Sequence, residues 1–353
     1  MNTIRVLVVD DSAFMRKIIS DMLASDPAIE VVGTAANGAV ALKQIAALEP
    51  DVITLDVEMP VLDGLQALEK IMQEKPLPVV MLSSFTEAGA ETTIKALQKG
   101  AVDFVAKPSG TTPVDLEKLR SNLISKVKIA SQVKVSSRLT GWGGLRLFKP
   151  TGKRRSDQLP KKLVLVGAST GGPKALNELL SRLPDGLPAA FLVVQHMPAG
   201  FTRSLAERLD QNSQLRVKEA EDEERVVAGT VYIAPGGYHL RVEQPLAAGS
   251  ELRLHLKKGE PVNGHRPSVD VLMLSAAKLK GFDLIGVILT GMGHDGCQGM
   301  RALKETGART IAEARDTAVV YGMPRAVVEA QLADRVLPLP FIASEIIRMT
   351  NEK

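Results

Sequence analysis

Residues 162–183 read KLVLVGASTGGPKALNELLSRL. An apolar run enters a glycine-rich turn, and the segment that follows, 173–183, has the pattern of a helix. A strand feeding a helix through a tight turn is the building unit of a parallel α/β sheet. The turn itself, GASTGG at 167–172, satisfies G-x-S-x-G in the strand–turn–helix setting that motif requires. Such a turn lifts the serine hydroxyl above the sheet, where the helix N-terminus helps to stabilise a developing oxyanion. Glycines before a helix also serve to cradle a phosphate, or simply to make a tight turn. Neither G-x-G-x-x-G nor a Gly-Lys-Ser/Thr ending is present at this turn, so the common nucleotide signatures are missing. Ser169 as nucleophile is the leading reading, and the other two stay open on the hexapeptide alone.

Working outward, the same alternation fills the chain. From Lys161 onward strands are expected at 162–167, 189–195, 230–234, 283–289 and 308–313. Helices are expected at 173–183, 200–210, 268–280, 298–306 and 322–333, with a β-rich insertion over 236–256. Toward the N-terminus, apolar runs at 4–10, 29–35, 51–56, 78–83 and 101–107 alternate with helical patterns, and a fifth helix is expected around 113–133. The fold class is therefore α/β, with two doubly wound parallel-sheet domains: a (βα)5 unit over 1–130 and a second unit over 161–353. Residues 131–160 lose all periodicity and are rich in Gly, Ser, Pro and basic residues, which reads as a flexible basic linker.

Composition bounds the function. The net charge of +4 is concentrated: nine Lys/Arg stand against one acid, Asp157, between Lys134 and Lys162. The basic balance thus belongs to the linker and gives little support for nucleic-acid binding by the folded parts. An aromatic content of 3% argues against stacking surfaces for single strands. The single cysteine, Cys297, rules out a disulfide framework and a cysteine-rich zinc site, and fits a reducing cytoplasm. The N-terminal MNTIRVLVVDD reaches two aspartates before a secretory core could form, and no run approaches the ~20 apolar residues of a membrane helix.

A serine needs a base. Of the five histidines, His239 and His255 sit at alternating positions of the β-rich insertion and read as ordinary side chains, while His265 lies in the loop NGHRPSVD. His196 and His294 both follow strands and emerge at the sheet edge that carries Ser169. Asp295 is the candidate orienting acid. Neighbours on a glycine-rich loop rarely point the same way, so His294–Asp295 is a poor pair. Ser169, His196 and Asp295, from three strand ends, make the better triad.

In the first unit four strand ends converge chemically: Asp10 and Asp11, Asp56, Ser83 (or Ser84) and Lys107. Carboxylates gathered at one sheet edge repel unless a cation joins them, and an oxygen-only set suits Mg²⁺. The ordered set VVDDS, TLDVEMP, MLSS and FVAKP resembles the receiver domain of a bacterial response regulator, of flavodoxin-like fold. That resemblance implies that Asp56 accepts a phosphoryl group from a histidine kinase. It implies Mg²⁺ held by Asp11, Asp56 and the Glu58 backbone carbonyl, with Asp10 acting through water. Lys107 and Ser83 would sense the phosphate, and Phe104 falls at the aromatic switch position.

With VGASTGGP, VVQHMPAGFT, GHRPSVD, TGMGHDG and GMPRAV following, the whole chain resembles the chemotaxis response-regulator protein-glutamate methylesterases. This implies a Rossmann-like catalytic domain in which Ser169 is the nucleophile, His196 the base and Asp295 its orienter. Thr170 and the backbone around Met292 would assist substrate or oxyanion binding. The implied reactions are demethylation of glutamate esters and deamidation of glutamines on chemoreceptor cytoplasmic domains, with no cofactor for the hydrolysis itself. Phosphoryl-Asp56 is expected to expose the serine. Neither nucleic-acid binding nor membrane insertion is implied. The competing classes are a regulator with a DNA-binding output, against which 161–353 lacks a helix-turn-helix pattern, and an inert receptor-binding adaptor.

Overall fold

The computed structural model describes residues 3–84, 86–107, 112–133, 135, 158–245 and 251–352. The chain divides into two compact units, Met1–Leu145 and Arg146–Lys353. Most of the expected linker, 131–160, lies outside the described residues.

The first unit is a five-stranded parallel sheet in the order β2-β1-β3-β4-β5. Its strands are β1 (Ile4–Val9), β2 (Ile29–Ala35), β3 (Val52–Asp56), β4 (Val79–Ser83) and β5 (Asp103–Ala106). Helices α1 (Ala13–Ala24), α2 (Gly38–Leu48), α3 (Gly64–Glu74), α4 (Glu87–Gln98) and α5 (Pro113–Ala130) alternate with them. β3 and β4 are buried at every position, as strands covered on both faces must be, and that is why they read as unbroken apolar runs. Helix starts are set by side-chain caps: Ser12 accepts from the Met15 amide, Asn37 from Val40 and Asp63 from Gln66.

The second unit is a seven-stranded sheet ordered β14-β13-β12-β6-β7-β9-β8, parallel throughout its pairings. The strands are β6 (Lys162–Ala168), β7 (Ala189–Gln195), β8 (Arg216–Glu219), β9 (Thr230–Ile233), β12 (Asp283–Ile288), β13 (Arg309–Glu313) and β14 (Arg335–Leu337). The β-rich insertion is a separate antiparallel pair, β10 (His239–Glu243) with β11 (Arg253–Lys257). The helices are α6 (Gly172–Leu180), α7 (Phe201–Asn212), α8 (Val269–Ala276), α9 (Cys297–Glu305), α10 (Met323–Glu329) and α11 (Leu339–Asn351). β8 and β14 were not expected. Both are short edge strands carrying charged residues, so neither shows the apolar run that marks the central strands. The order reverses between the adjacent strands β6 and β12, and ligands of doubly wound sheets bind beyond the carboxyl ends of strands at such a switch. Ser169 directly follows β6, Asp295 lies on the loop after β12, and His196 follows β7 on the other side of β6.

Candidate functional site

β6 delivers Ser169 into a turn fixed at three points. Its amide donates to the Thr290 carbonyl (3.0 Å), and its own carbonyl accepts from the Gly172 amide (2.7 Å) and from Gln195 Nε2 (2.9 Å). Gly171 closes the turn at φ 77°, a left-handed conformation, and a Cβ there would also strike Val319. β7 runs beside β6 in register and delivers His196, whose amide donates to the Ala168 carbonyl (3.1 Å).

The His196 ring is nearly sealed. Its Nε2 lies 2.8 Å from Asp295 Oδ2, and the two side chains are 5% and 1% exposed. Asp295 sits on the N-terminus of α8. Oδ2 also accepts from the Val269 amide (2.7 Å), while Oδ1 accepts from Ser268 Oγ (2.8 Å), the Asp270 amide (3.1 Å) and Asn263 Nδ2 (3.1 Å). Burial works against the charge, but the His196 ring and the amides of Val269 and Asp270 hold the Asp295 carboxyl well below the usual carboxylate range. Asp295 therefore stays ionised, and the proton shared with His196 belongs on Nε2. The other ring nitrogen, Nδ1, is buried and makes no hydrogen bond. Among the described residues no hydrogen bond joins Ser169 Oγ to that ring; such contacts often tighten only with substrate bound.

Asn263 and Gly264 both have positive φ (53° and 80°), and Val262 and His265 exchange backbone hydrogen bonds, so Asn-Gly forms a two-residue hairpin turn. The turn places Asn263 on Asp295 and on Asp270 Oδ2 (2.8 Å), and stacks the His265 ring on His196 at 3.8 Å between centroids. Thr170 is buried, and its carbonyl accepts from Thr290 Oγ1 (2.9 Å). Thr290 is held from below by Glu313, the fully buried end of β13, whose Oε2 accepts the Thr290 amide (2.8 Å). Met292 is exposed beside this region of chain. The remaining histidines stand apart: His294 is exposed, His239 is bonded to the Glu260 carbonyl and His255 pairs with Glu223.

In the first unit, Lys107 Nζ lies 2.7 Å from Asp10 Oδ2 and 2.8 Å from Asp56 Oδ2. Burial pushes the Asp56 carboxyl up to about 6, against the pull of Lys107. Burial also works against the Lys107 ammonium, but its two carboxylates hold it above the usual lysine range. Oxygens of Asp10, Asp11 and Asp56 all lie within 4.8 Å of one another, a hard-donor set that fits Mg²⁺. Gly64 is indispensable beneath them: a Cβ there would overlap the Asp56 carbonyl. Ser83 is buried, and its hydroxyl donates to the Gly89 carbonyl (3.1 Å), whereas the adjacent Ser84 is partly exposed. Glu58 is an exposed residue of the loop after β3. Phe104 is buried, with Lys126 Nζ 5.0 Å from its ring centroid.

The model of the CheB methylesterase family matches residues 164–346, and that of the response regulator receiver domain matches 6–119. A protein-glutamate methylesterase/protein-glutamine glutaminase of Geobacillus kaustophilus is 52% identical over 353 residues, the full length of both chains. One from Halalkalibacterium halodurans is 51% identical over 98% of each. The crystal structure of the Thermotoga maritima CheB methylesterase catalytic domain is 46% identical, with a TM-score of 0.52, and is covered completely by 54% of this chain. The chain belongs to the CheB methylesterase family.

Set against this CheB-type architecture, the residues that sequence reasoning missed are those around Asp295: Asn263, Ser268 and Asp270. A signal for them was present, since NGHRPSVD combines an Asn-Gly turn with Ser268 as a helix cap. Gln195, Thr290 and Glu313 carried no such signal, because each sits in or beside an apolar strand and acts through backbone groups.

Proposed function

We propose that this chain hydrolyses methyl esters of glutamate side chains, and deamidates glutamines, on the cytoplasmic part of chemoreceptors. The observation that carries the reading is His196: its Nε2 is committed to an ionised Asp295, while its buried Nδ1 has no partner beside the turn that bears Ser169. Nδ1 is then the base. Ser169 Oγ attacks the ester carbonyl and its proton passes to Nδ1. The tetrahedral intermediate collapses with loss of methanol, which leaves with that proton. Water, deprotonated by the same nitrogen, attacks the acyl-serine; the bond from the acyl carbon to Oγ breaks, Oγ takes that proton back from Nδ1, and the glutamic acid formed ionises to its carboxylate in solvent. An amide side chain follows the same course and releases ammonia. Backbone groups around Thr170 and Met292 stabilise the oxyanion.

Asp56 is the phosphoryl acceptor from a histidine kinase, and its phosphorylation raises hydrolysis. Asp10, Asp11, Asp56 and the Glu58 carbonyl would hold Mg²⁺, which when bound offsets the charge of the incoming phosphoryl group. Lys107, Ser83 and Phe104 register the phosphate. None of the helices among the described residues is long and apolar enough to cross a membrane, and a cytoplasmic protein acting on the receptors' cytoplasmic parts is the setting proposed. The test is methanol release from methylated receptor membranes. Ser169→Ala should abolish release while the melting temperature is kept, and unchanged turnover would end the assignment.

A further inference from the structure

Gln195 is 2% exposed and stands directly before His196 at the end of β7. Its Nε2 donates to two carbonyls, that of Ser169 (2.9 Å) and that of His196 (3.3 Å). One carboxamide therefore spans from the peptide of the candidate nucleophile to the peptide of the candidate base. Two acceptors on that side leave the amide a single sensible orientation, because the reverse one would set Oε1 against both carbonyls.

The cost of this arrangement is visible on the amide's other side. Oε1 is sealed from solvent and makes no hydrogen bond. It also occupies the space a side chain at 172 would need: a Cβ on Gly172 would lie 1.9 Å from it. A buried acceptor without a partner calls for a reason other than stability, and an apolar side chain of the same length would fill this place without it.

The reason lies in the peptide plane. Ser169's carbonyl takes two donors, Gln195 Nε2 and the Gly172 amide, so its direction is fixed. A trans peptide held at its carbonyl is held at its N–H as well, so the same bonds set the direction of the Thr170 amide. We infer that Gln195 is a positioning residue, which yokes the Ser169 turn to the His196 strand end and requires glycine at 172. The inference rests on the proposed roles of Ser169 and His196.

The test uses the full chain. Gln195→Met keeps length and removes both bonds; Gln195→Leu removes both with a shorter apolar side chain. Acylation of Ser169 by a small serine-directed phosphonate is measured beside kcat and KM for methanol release. A displacement of the order of 1 Å at a reacting group costs about 10²-fold. Both variants should lose about that factor in kcat and in acylation rate, with KM and melting temperature kept. Gly172→Ala should lose a similar factor, and combining it with Gln195→Met should add little, because both break one yoke. Activity of Gln195→Met within twofold of the parent overturns the inference, as does a loss that only follows a fall in melting temperature. If Gln195→Met does not fold, Gln195→Leu decides by the same criteria. Ser169→Ala separates the two levels: turnover surviving in it sinks the nucleophile assignment, whereas an inactive Ser169→Ala beside a fully active Gln195→Met sinks only the yoke.

Discussion

Glu313 offers a measurement that depends on physical chemistry alone. It is fully buried at the end of β13, and gives one oxygen to the Thr290 amide while the other makes no hydrogen bond among the described residues. Burial raises its carboxyl from the ordinary 4.5 to about 7, opposed by the Thr290 amide and the nearby Thr317 hydroxyl and assisted by the charge of Glu178. Below pH 4.5 the group is protonated in folded and unfolded chain alike and costs nothing. Between there and pH 7 the unfolded chain releases a proton that the folded chain keeps, so stability falls as pH rises. Above pH 7 the loss is complete. From 4.5 to about 7, at about 1.4 kcal/mol per pH unit, it comes to about 3 kcal/mol. Glu313→Gln removes the titration and leaves an acceptor for Thr290. Any fixed cost of the new amide is the same at every pH, so the difference between variant and parent isolates the ionisation. For a unit of the size of 146–353, 1 kcal/mol moves the melting temperature by about 2–4 °C. Calorimetric melts of the full chain should show the variant gaining about 6–12 °C on the parent between pH 4.5 and 8.5. A difference that stays constant over that range would refute the reasoning, and would mean that Glu313 is charged and solvated when folded.

Asp295→Asn should keep the site's shape but lose the charge that holds the His196 proton on Nε2; kcat for methanol release should fall by about 10³–10⁴-fold with KM little changed. A loss under tenfold would remove Asp295 from the orienting role. Asp56→Asn should take up no phosphoryl group from a small-molecule phosphodonor and show no stimulation of hydrolysis by it; labelling that persists in this variant would move the acceptor elsewhere.

The legible part of this chain is the part that parallel sheets expose to a reader. β6, β7 and β12 are buried on both faces, so their apolar runs are continuous and their ends are sharp. Ser169 and His196 follow two of those ends directly, and Asp295 lies on the loop after the third. A candidate catalytic residue at a strand end can therefore be found by locating the strand. Asp10, Asp56 and Lys107, which ion pairs bring together, likewise stand at or directly after strand ends. The edge strands β8 and β14 lack that run, and they went unseen.

What holds the candidate site in shape follows another rule. Asn263 reaches Asp295 across 32 residues and Ser268 across 27, from a hairpin turn and a helix cap whose sequence signals speak only of local structure. Gln195 looks like the last residue of an apolar strand, and Gly172 like one more glycine in a turn. Only their approach, with Oε1 filling the place of a Cβ, shows that each constrains the other. Strand ends thus announce the candidate reacting groups, because sheet topology brings them together whatever the loops do. The groups that aim them are chosen by packing distances of a few ångströms, and no periodicity in the chain records those. Substitutions at Gln195 and Gly172 should therefore be coupled to each other in kcat even though neither position carries a reacting atom.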